Sequence, residues 1–376
     1  MIASGTSSIV EARGDTFVLN LGPQHPATHG VLRIKLTMDG EYITRAEPVC
    51  GYIHRMHEKM GENRTWAQYL PNTSRIDYLS AMPYTHAFVG AVERAAHIEV
   101  PRRAEYIRVI TSELNRISSH LVWFGAFILD LGGFTPLLYA FDDREKILDL
   151  LEAITGSRLT YSYYRFGGVC SDIDAPFIEG TRQFVALMRG RLKMYRDLVT
   201  DNVILRKRIL GIGPISAAMC RQYGATGAVM RGSGIAYDVR KNEPYSVYSE
   251  FDFDIPVFPE GDCMARYRVR MEEMAQSLRI IEQGLDKLPD GPVLSANVSR
   301  GLKLPPGDYC YAVEAARGRF MVRIVSDNKE NAYRIRLRSP SFSNLSLFEE
   351  ASQGMMLADA LALLGSLDLV IPDIDR

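Results

Sequence analysis

PRRAEYIRVITSELNRISSHLVWFGAFILDLGG, residues 101–133, is the longest regular stretch of the chain. Pro101 suits the first turn of a helix. Behind it Ile107, Ile110, Leu114, Ile117, Leu121, Phe124, Ile128 and Leu131 recur at steps of three and four, one apolar face over seven turns. At ~1.5 Å per residue the helix is about 40 Å long, and Gly132-Gly133 is its natural stop. A second strut, Met264, Tyr267, Met271, Met274, Leu278, Ile281, Leu285 and Leu288, keeps a seven-residue repeat and predicts a partner for the first. Asp130 stands at the carboxyl end of the first helix, where the dipole disfavours a carboxylate. It needs a compensating donor or water.

Other segments fill in an α+β architecture, a central bundle of long helices with small antiparallel sheets at the two ends. At the amino end Phe17–Asn20, Val31–Met38 and Tyr42–Pro48 read as strands, with a tight turn at Asp39-Gly40. Near the carboxyl end Tyr309–Val313, Phe320–Val325 and Tyr333–Arg338 make a second sheet. In its last strand Tyr333, Ile335 and Leu337 predict a buried face against a basic row of Arg334, Arg336 and Arg338. Residues 64–70 read as a connection, a helix is expected from Arg75 to about His97, and Asp142-Asp-Arg-Glu145 suggests a capping box opening a helix to Thr155. Residues 224–257, rich in Gly, Tyr and Asp, read as surface or interface loop. The tail from Leu367 to Arg376, apolar with three Asp, reads as tucked into the fold. The expected division is a flexible segment 1–14, a sheet with a site loop over 15–60, a helical core over 61–290, and a sheet, helices and buried tail over 291–376.

Composition excludes several classes. The 376 residues are 47% hydrophobic and 24% charged with a formal net charge of -1, which provides no field for nucleic acid. No apolar run approaches the ~20 residues that span a bilayer, so the chain reads as cytoplasmic, docking on a membrane protein at most. Five cysteines stand singly, without a Cys-x-x-Cys pair, and read as small buried residues. They support neither a disulfide framework nor a metal cluster built from this chain alone. No phosphate-binding glycine loop is present.

Two stretches carry candidate chemistry. In Gly22-Pro-Gln-His-Pro-Ala-Thr-His-Gly30 two prolines stiffen the backbone and two glycines supply bends, so His25 and His29 stand in a rigid loop beside a sheet. In Gly51-Tyr-Ile-His-Arg-Met-His-Glu-Lys59, His54, His57 and Glu58 have a spacing seen in zinc sites. A third-ligand pattern is missing, and Arg55 and Lys59 would repel the ion, so a cleft or partner-facing surface is the better reading.

These motifs, with Arg75-Ile-Asp-Tyr78, Arg108 to His120, Thr135-Pro136, Gly167-Gly-Val169, Tyr237-Asp-Val-Arg-Lys241, Ser339-Pro-Ser-Phe342 and Asp373-Ile-Asp-Arg376, resemble the D-type, quinone-site subunit of respiratory complex I from about residue 17 to the end. That family is related to the large subunit of nickel-iron hydrogenases. Where those enzymes carry two Cys-x-x-Cys pairs, this chain has Asp77 and Ser80, then Val370 and Asp373, so the thiolates needed for nickel are gone. The resemblance implies a quinone site in the old metal cavity. His29 and Tyr78 would hydrogen-bond the headgroup, Asp130 would partner His29, and His25, His54, Arg55 and Met56 would line the pocket. It also implies a proton-pumping NADH-quinone oxidoreductase on the cytoplasmic face of the cell membrane. This chain would bind no metal and no cluster, the iron-sulfur cluster being on the adjacent B-type iron-sulfur subunit and NADH bound elsewhere. The other implied partners are the C-type subunit, the ferredoxin-like I-type subunit and the H-type membrane subunit. Met56 and His57 replace the usual small residue after His-Arg, and the segment between Pro289 and Tyr309 is short, as in relatives fed by ferredoxin or a deazaflavin. The same role with such a donor, a purely structural subunit, and a metallohydrolase using His25, His29, His54 and His57 are the alternatives.

Overall fold

The structure is a computed structural model that describes residues 9–13, 16–23, 30–296, 298–299 and 301–376. His25 and His29 therefore lie outside the described residues, as do residues 1–8 of the segment expected to be flexible.

A four-stranded antiparallel meander comes first: β1 (Ile9–Arg13), β2 (Thr16–Leu21), β3 (Arg33–Asp39) and β4 (Tyr42–Val49). The reading of residues 1–14 as loose fails at residues 9–13, which pair with β2. Alternation along β3 buries Ile34, Leu36 and Met38, and Asp39 pairs with Tyr42 across a turn where Gly40 has φ 56°.

Helices α1 (His57–Glu62) and α2 (Trp66–Thr73) follow, then α3 (Ala81–Ala96), α4 (Arg102–Asp130) and α5 (Phe134–Thr155). Residues 66–73 are thus a helix, not a connection. Thr65 and Gln68 form a reciprocal capping box that satisfies its first amides. The next helix begins at Ala81 and not at Arg75, because the Asp77 carboxylate competes for the backbone. Its Oδ1 accepts from the amides of Leu79 (3.0 Å) and Ser80 (3.1 Å) and turns the chain before a helix can form. Helix α5 begins directly behind Gly133, so the Asp142 capping box is not used. Asp142 instead pairs with Lys146 one turn on at 2.7 Å, and the buried Asp143 takes Arg191 (3.0 Å) and Tyr195 (2.5 Å).

A short hairpin, β5 (Tyr164–Arg165) and β6 (Gly168–Val169), leads to α6 (Ala175–Tyr195), α7 (Val203–Ile209), α8 (Ala217–Tyr223), α9 (Ala228–Arg231), α10 (Val239–Asn242) and α11 (Cys263–Asp286). A three-stranded antiparallel sheet, β7 (Gly307–Ala315), β8 (Gly318–Ser326) and β9 (Arg334–Arg338), covers α3, and α12 (Pro340–Ser346), α13 (Phe348–Ala351), α14 (Leu357–Leu367) and α15 (Ile371–Asp375) close the chain. The two predicted struts meet: α11 packs along α4, with α3, α5 and α14 against the other sides of α4. Ile335 and Leu337 are buried as predicted, but Tyr333 precedes the strand and is exposed. One apolar cluster runs without a break from Leu19 to Ile374.

Two further expectations are corrected. Cys220 and Cys263 are buried, but Cys50, Cys170 and Cys310 are exposed and free. Residues 224–257 are not surface loop. Arg231 and Arg240 are fully buried beside α4 and α11, where Arg231 bonds Glu273 and Glu314 (2.8 Å) and Arg240 bonds Glu113 (3.1 Å) and Asp238 (2.7 Å). Their charge is tolerated because each guanidinium meets carboxylates supplied by distant elements.

Candidate functional site at the carboxyl-terminal tail

The tail from Gly365 to Arg376 is held deep in the fold. Gly365 O accepts from Trp123 Nε1 of α4 (2.8 Å). Arg270 of α11 donates to Ser366 O (3.0 Å), and Val370 N donates to Ser341 Oγ of α12 (3.4 Å). The expected burial of this tail is seen from Leu367 to Asp375. Its Asp residues are the points on which the candidate segments converge.

Asp375 clasps the Gly51 motif. Its carboxylate accepts from the amides of Gly51 (2.8 Å) and Ile53 (2.9 Å), and its carbonyl lies 2.5 Å from His54 Nδ1, which fixes that imidazole. Arg55 then donates to Arg75 O at 2.6 Å, tying this loop to the turn that carries Asp77 and Tyr78. Met56 is exposed with φ 55°, an unfavourable angle for a side chain, and α1 starts behind it.

Asp368 reaches the same turn through Arg317. Arg317 Nη1 donates to Asp77 Oδ2 (3.0 Å) and to Ser119 Oγ of α4 (3.0 Å), while Nη2 donates to Asp368 Oδ1 (3.2 Å). Arg317 and Asp77 are fully buried, and Tyr78 beside them is partly exposed. Burial, opposed by Arg317 and reinforced by the Asp373 and Asp368 charges, pushes the Asp77 carboxyl up to about 6. Burial and then the Asp77 charge raise the Tyr78 phenol, so it stays protonated and able to donate at neutral pH. Asp77 and Asp373 thus share one electrostatic chamber, and Arg317 occupies it.

Asp130 ends α4 exposed to solvent, next to Gly365, on which a Cβ would lie 3.7 Å from Asp130 Oδ2. Beyond it an apolar groove of about 340 Å³ runs between the start of α5 and α7, with Phe134 and Ile204 exposed at its rim. Gly22 and Gly30 both have positive φ, as the sequence requires of them, and a Cβ on Gly30 would be 2.7 Å from Ile371 Cγ1 in the tail.

The Gly51 motif with His54, the Asp77 turn that carries Tyr78 and the Gly30 end of the His loop are thus each tied to the tail, and Asp130 lies beside Gly365 at its start. His57 is not part of this group. It is buried, neither ring nitrogen has a hydrogen-bond partner, and desolvation, with help from Arg55 and His54, pushes its pKa down to about 4. Glu58 turns away to Leu337 N (2.9 Å) and Arg334 (3.0 Å). Among the described residues no group of three His, Cys, Asp or Glu is placed to hold a metal ion. Sequence reasoning missed Arg317, Asp368 and Asp375. The signal was partial: a buried apolar tail carrying three Asp must find cations or amides, but a single sequence does not say which.

The family model for the respiratory-chain NADH dehydrogenase 49 kDa subunit matches residues 130–299 and 294–376, and the chain belongs to that family. It is 71% identical to the second D-type subunit of the NADH-quinone oxidoreductase of Opitutus terrae over 373 residues, 99% of this chain and 94% of that one. It is 72% identical to the D-type subunit of the NADH-quinone oxidoreductase of Desulfotalea psychrophila over 362 residues, 96% and 97% of the two chains. The corresponding Geobacillus thermodenitrificans protein is 48% identical over 364 residues, 96% of this chain and 99% of that one. The chain is thus one component of a complex I type oxidoreductase and works among other components of that complex.

Proposed function

We propose that this chain forms the quinone-reduction site of a proton-pumping NADH-quinone oxidoreductase together with the adjacent B-type iron-sulfur subunit. The observation that carries the reading is the set of ties made by the tail: Asp375 holds the His54-Arg55 loop, Arg317 joins Asp368 to the Asp77 turn that carries Tyr78, Gly365 lies beside Asp130, and Gly30 packs against Ile371. In this reading the Tyr78 hydroxyl and the His29 imidazole donate to the two carbonyl oxygens of the quinone. Asp130 orients His29 and favours its charged form, and His25, His54, Arg55 and Met56 line the approach.

Reduction to the quinol requires two electrons and two protons. The cluster of the neighbouring iron-sulfur protein supplies the electrons, and this chain supplies positioning and protons. Tyr78 suits the task because its raised pKa keeps the O–H intact until charge develops on the quinone oxygen. Asp375 holds the Gly51 motif and so sets His54 and Arg55 in place. The exposed apolar groove beyond Asp130 supports contact with further components, for which the C-type subunit, the ferredoxin-like I-type subunit and the H-type membrane subunit are proposed. No helix among the described residues is long and apolar enough to cross a membrane. In this reading the chain sits at the cytoplasmic face of the membrane through its partners, with NADH bound elsewhere in the complex. Photoaffinity labelling of the assembled complex with a quinone analogue tests the reading. Labelled peptides from 22–30, 51–56 or 75–80 support it, and label confined to other segments or other proteins of the complex refutes it.

A further inference from the structure

The groove between the start of α5 and α7 has a row of cations at its edge. A π-helical turn, Arg196–Thr200, runs from α6 toward α7, and the Asn202 side chain caps α7 by accepting from the amides of Ile204 (2.8 Å) and Leu205 (3.4 Å). Leu205 and Ile209, four positions apart, are buried against the bundle. Val203, Ile204, Lys207 and Arg208 therefore fall on the outward side of the helix. Val203 and Ile204 are 66% and 68% exposed, more than any other large aliphatic side chain among the described residues. Ile128, Val199 and Leu205 give the groove a buried lining, and Phe134, Leu198 and Ile204 stand exposed around it. Apolar surface left open to water in this way marks contact with another molecule.

The charges beside the groove say what kind of molecule. Among the described residues Arg206, Lys207 and Arg208 form no ion pair, and their side chains donate no hydrogen bond. Their place in the last turn of α7 suits the helix dipole, but a partial charge of about one half does not neutralise three cations. The carboxylates nearest in sequence, Asp197 and Asp201, precede the helix, are exposed and form no ion pair either. A uniformly anionic bilayer surface would attract the cations and repel these two acids. The groove, about 340 Å³, is at the small end of the range for clefts, with room for a few side chains and not for the body of a helix. Apolar recess and cations together suit a protein segment whose carboxylates sit beside its apolar anchors.

We propose that the groove takes large apolar side chains from an acidic segment of a neighbouring component of the complex, and that carboxylates of that segment pair with Lys207 and Arg208. The inference rests on the reading of this groove as a contact within the complex, and it does not depend on where the quinone binds.

Carbodiimide treatment of the assembled complex, which joins an amine to a carboxylate that it touches, tests the pairing. Mass spectrometry should find Lys207 joined to an Asp or Glu of another component. Lys207→Arg keeps the charge and loses the amine, so it should assemble normally and give no link. A photoreactive phenylalanine analogue in place of Ile204 should cross-link to the same component. Ile204→Asp and Lys207→Glu should each lower recovery of that component with this chain by ~10-fold or more. Leu187→Asp, on an exposed leucine of α6 that does not line the groove, should leave recovery unchanged. Photo-cross-links from position 204 to phospholipid alone, or unchanged recovery in Ile204→Asp, overturn the contact as a whole. If position 204 cross-links to another component while Lys207 joins only Asp197 or Asp201 of its own chain, or nothing, the contact stands and the acidic partner is refuted. Failure of quinone photolabelling at 22–30, 51–56 and 75–80 would remove the quinone-site reading and leave these cross-links to decide the present proposal.

Discussion

Acidification should loosen α1 through a single residue. His57 opens that helix, buried with neither ring nitrogen bonded, and desolvation, then the Arg55 and His54 charges, push its pKa down to about 4. An unfolded histidine titrates near ~6.5, so the gap of ~2.5 units corresponds to about 3 kcal/mol in full. Because the folded value is the lower one, the contribution is complete above pH ~6.5 and is lost as the pH falls toward 4. At pH ~5 about 2 kcal/mol has gone, a ~30-fold change in the opening equilibrium. Hydrogen exchange of the α1 amides in the assembled complex reads it, with His57→Leu, which has no proton to take up, as the reference. The wild-type to variant protection ratio should fall ~30-fold between pH ~7.5 and ~5. A ratio that stays constant across that range would show that the imidazole is not held neutral, and the reasoning from its burial would be wrong.

Two further outcomes follow from the buried charges. Arg240→Met should destabilise the complex by ~3–5 kcal/mol, read by denaturant titration, because Glu113 and Asp238 lose a buried partner while Arg116 and Arg231 remain. A change below ~1 kcal/mol would mean that the network does not hold α10 to the bundle. Asp375→Ala removes the acceptor of two amides in the Gly51 motif and should raise the quinone KM more than it lowers kcat in steady-state assays, since it displaces His54 and Arg55. An unchanged KM would separate that loop from the site.

The parts of this molecule that were legible in its sequence are those where apolar spacing decides the outcome. The faces of α4 and α11, the alternation in β3 and the glycines bounding the His loop are dictated locally, and the structure bears them out. Where polar side chains decide, local reading failed. Asp77 delays α3 by capturing two amides, and Asp142 pairs with Lys146 inside a helix instead of capping its start. Residues 224–257 looked like surface or interface loop because they are rich in Gly, Tyr and Asp, yet Arg231 and Arg240 are buried there, neutralised by Glu273, Glu314 and Glu113 from 42, 83 and 127 positions away. The site was half legible. Tyr78 and Asp130 stood in recognisable motifs, and Asp77 and Asp373 were marked as former thiolate positions. That Arg317 fills their chamber and Asp375 anchors the Gly51 motif depends on contacts spanning 240 and 324 positions, which no periodicity encodes.

Everything proposed for the chamber turns on the Tyr78 phenol protonating a quinone bound beside the tail. Turnover of the assembled complex with Tyr78→Phe, measured at saturating quinone, tests it most directly. A loss in kcat of at least ~100-fold with the complex intact is expected, as removal of a general acid requires, and a variant that reduced quinone at the wild-type rate would contradict it.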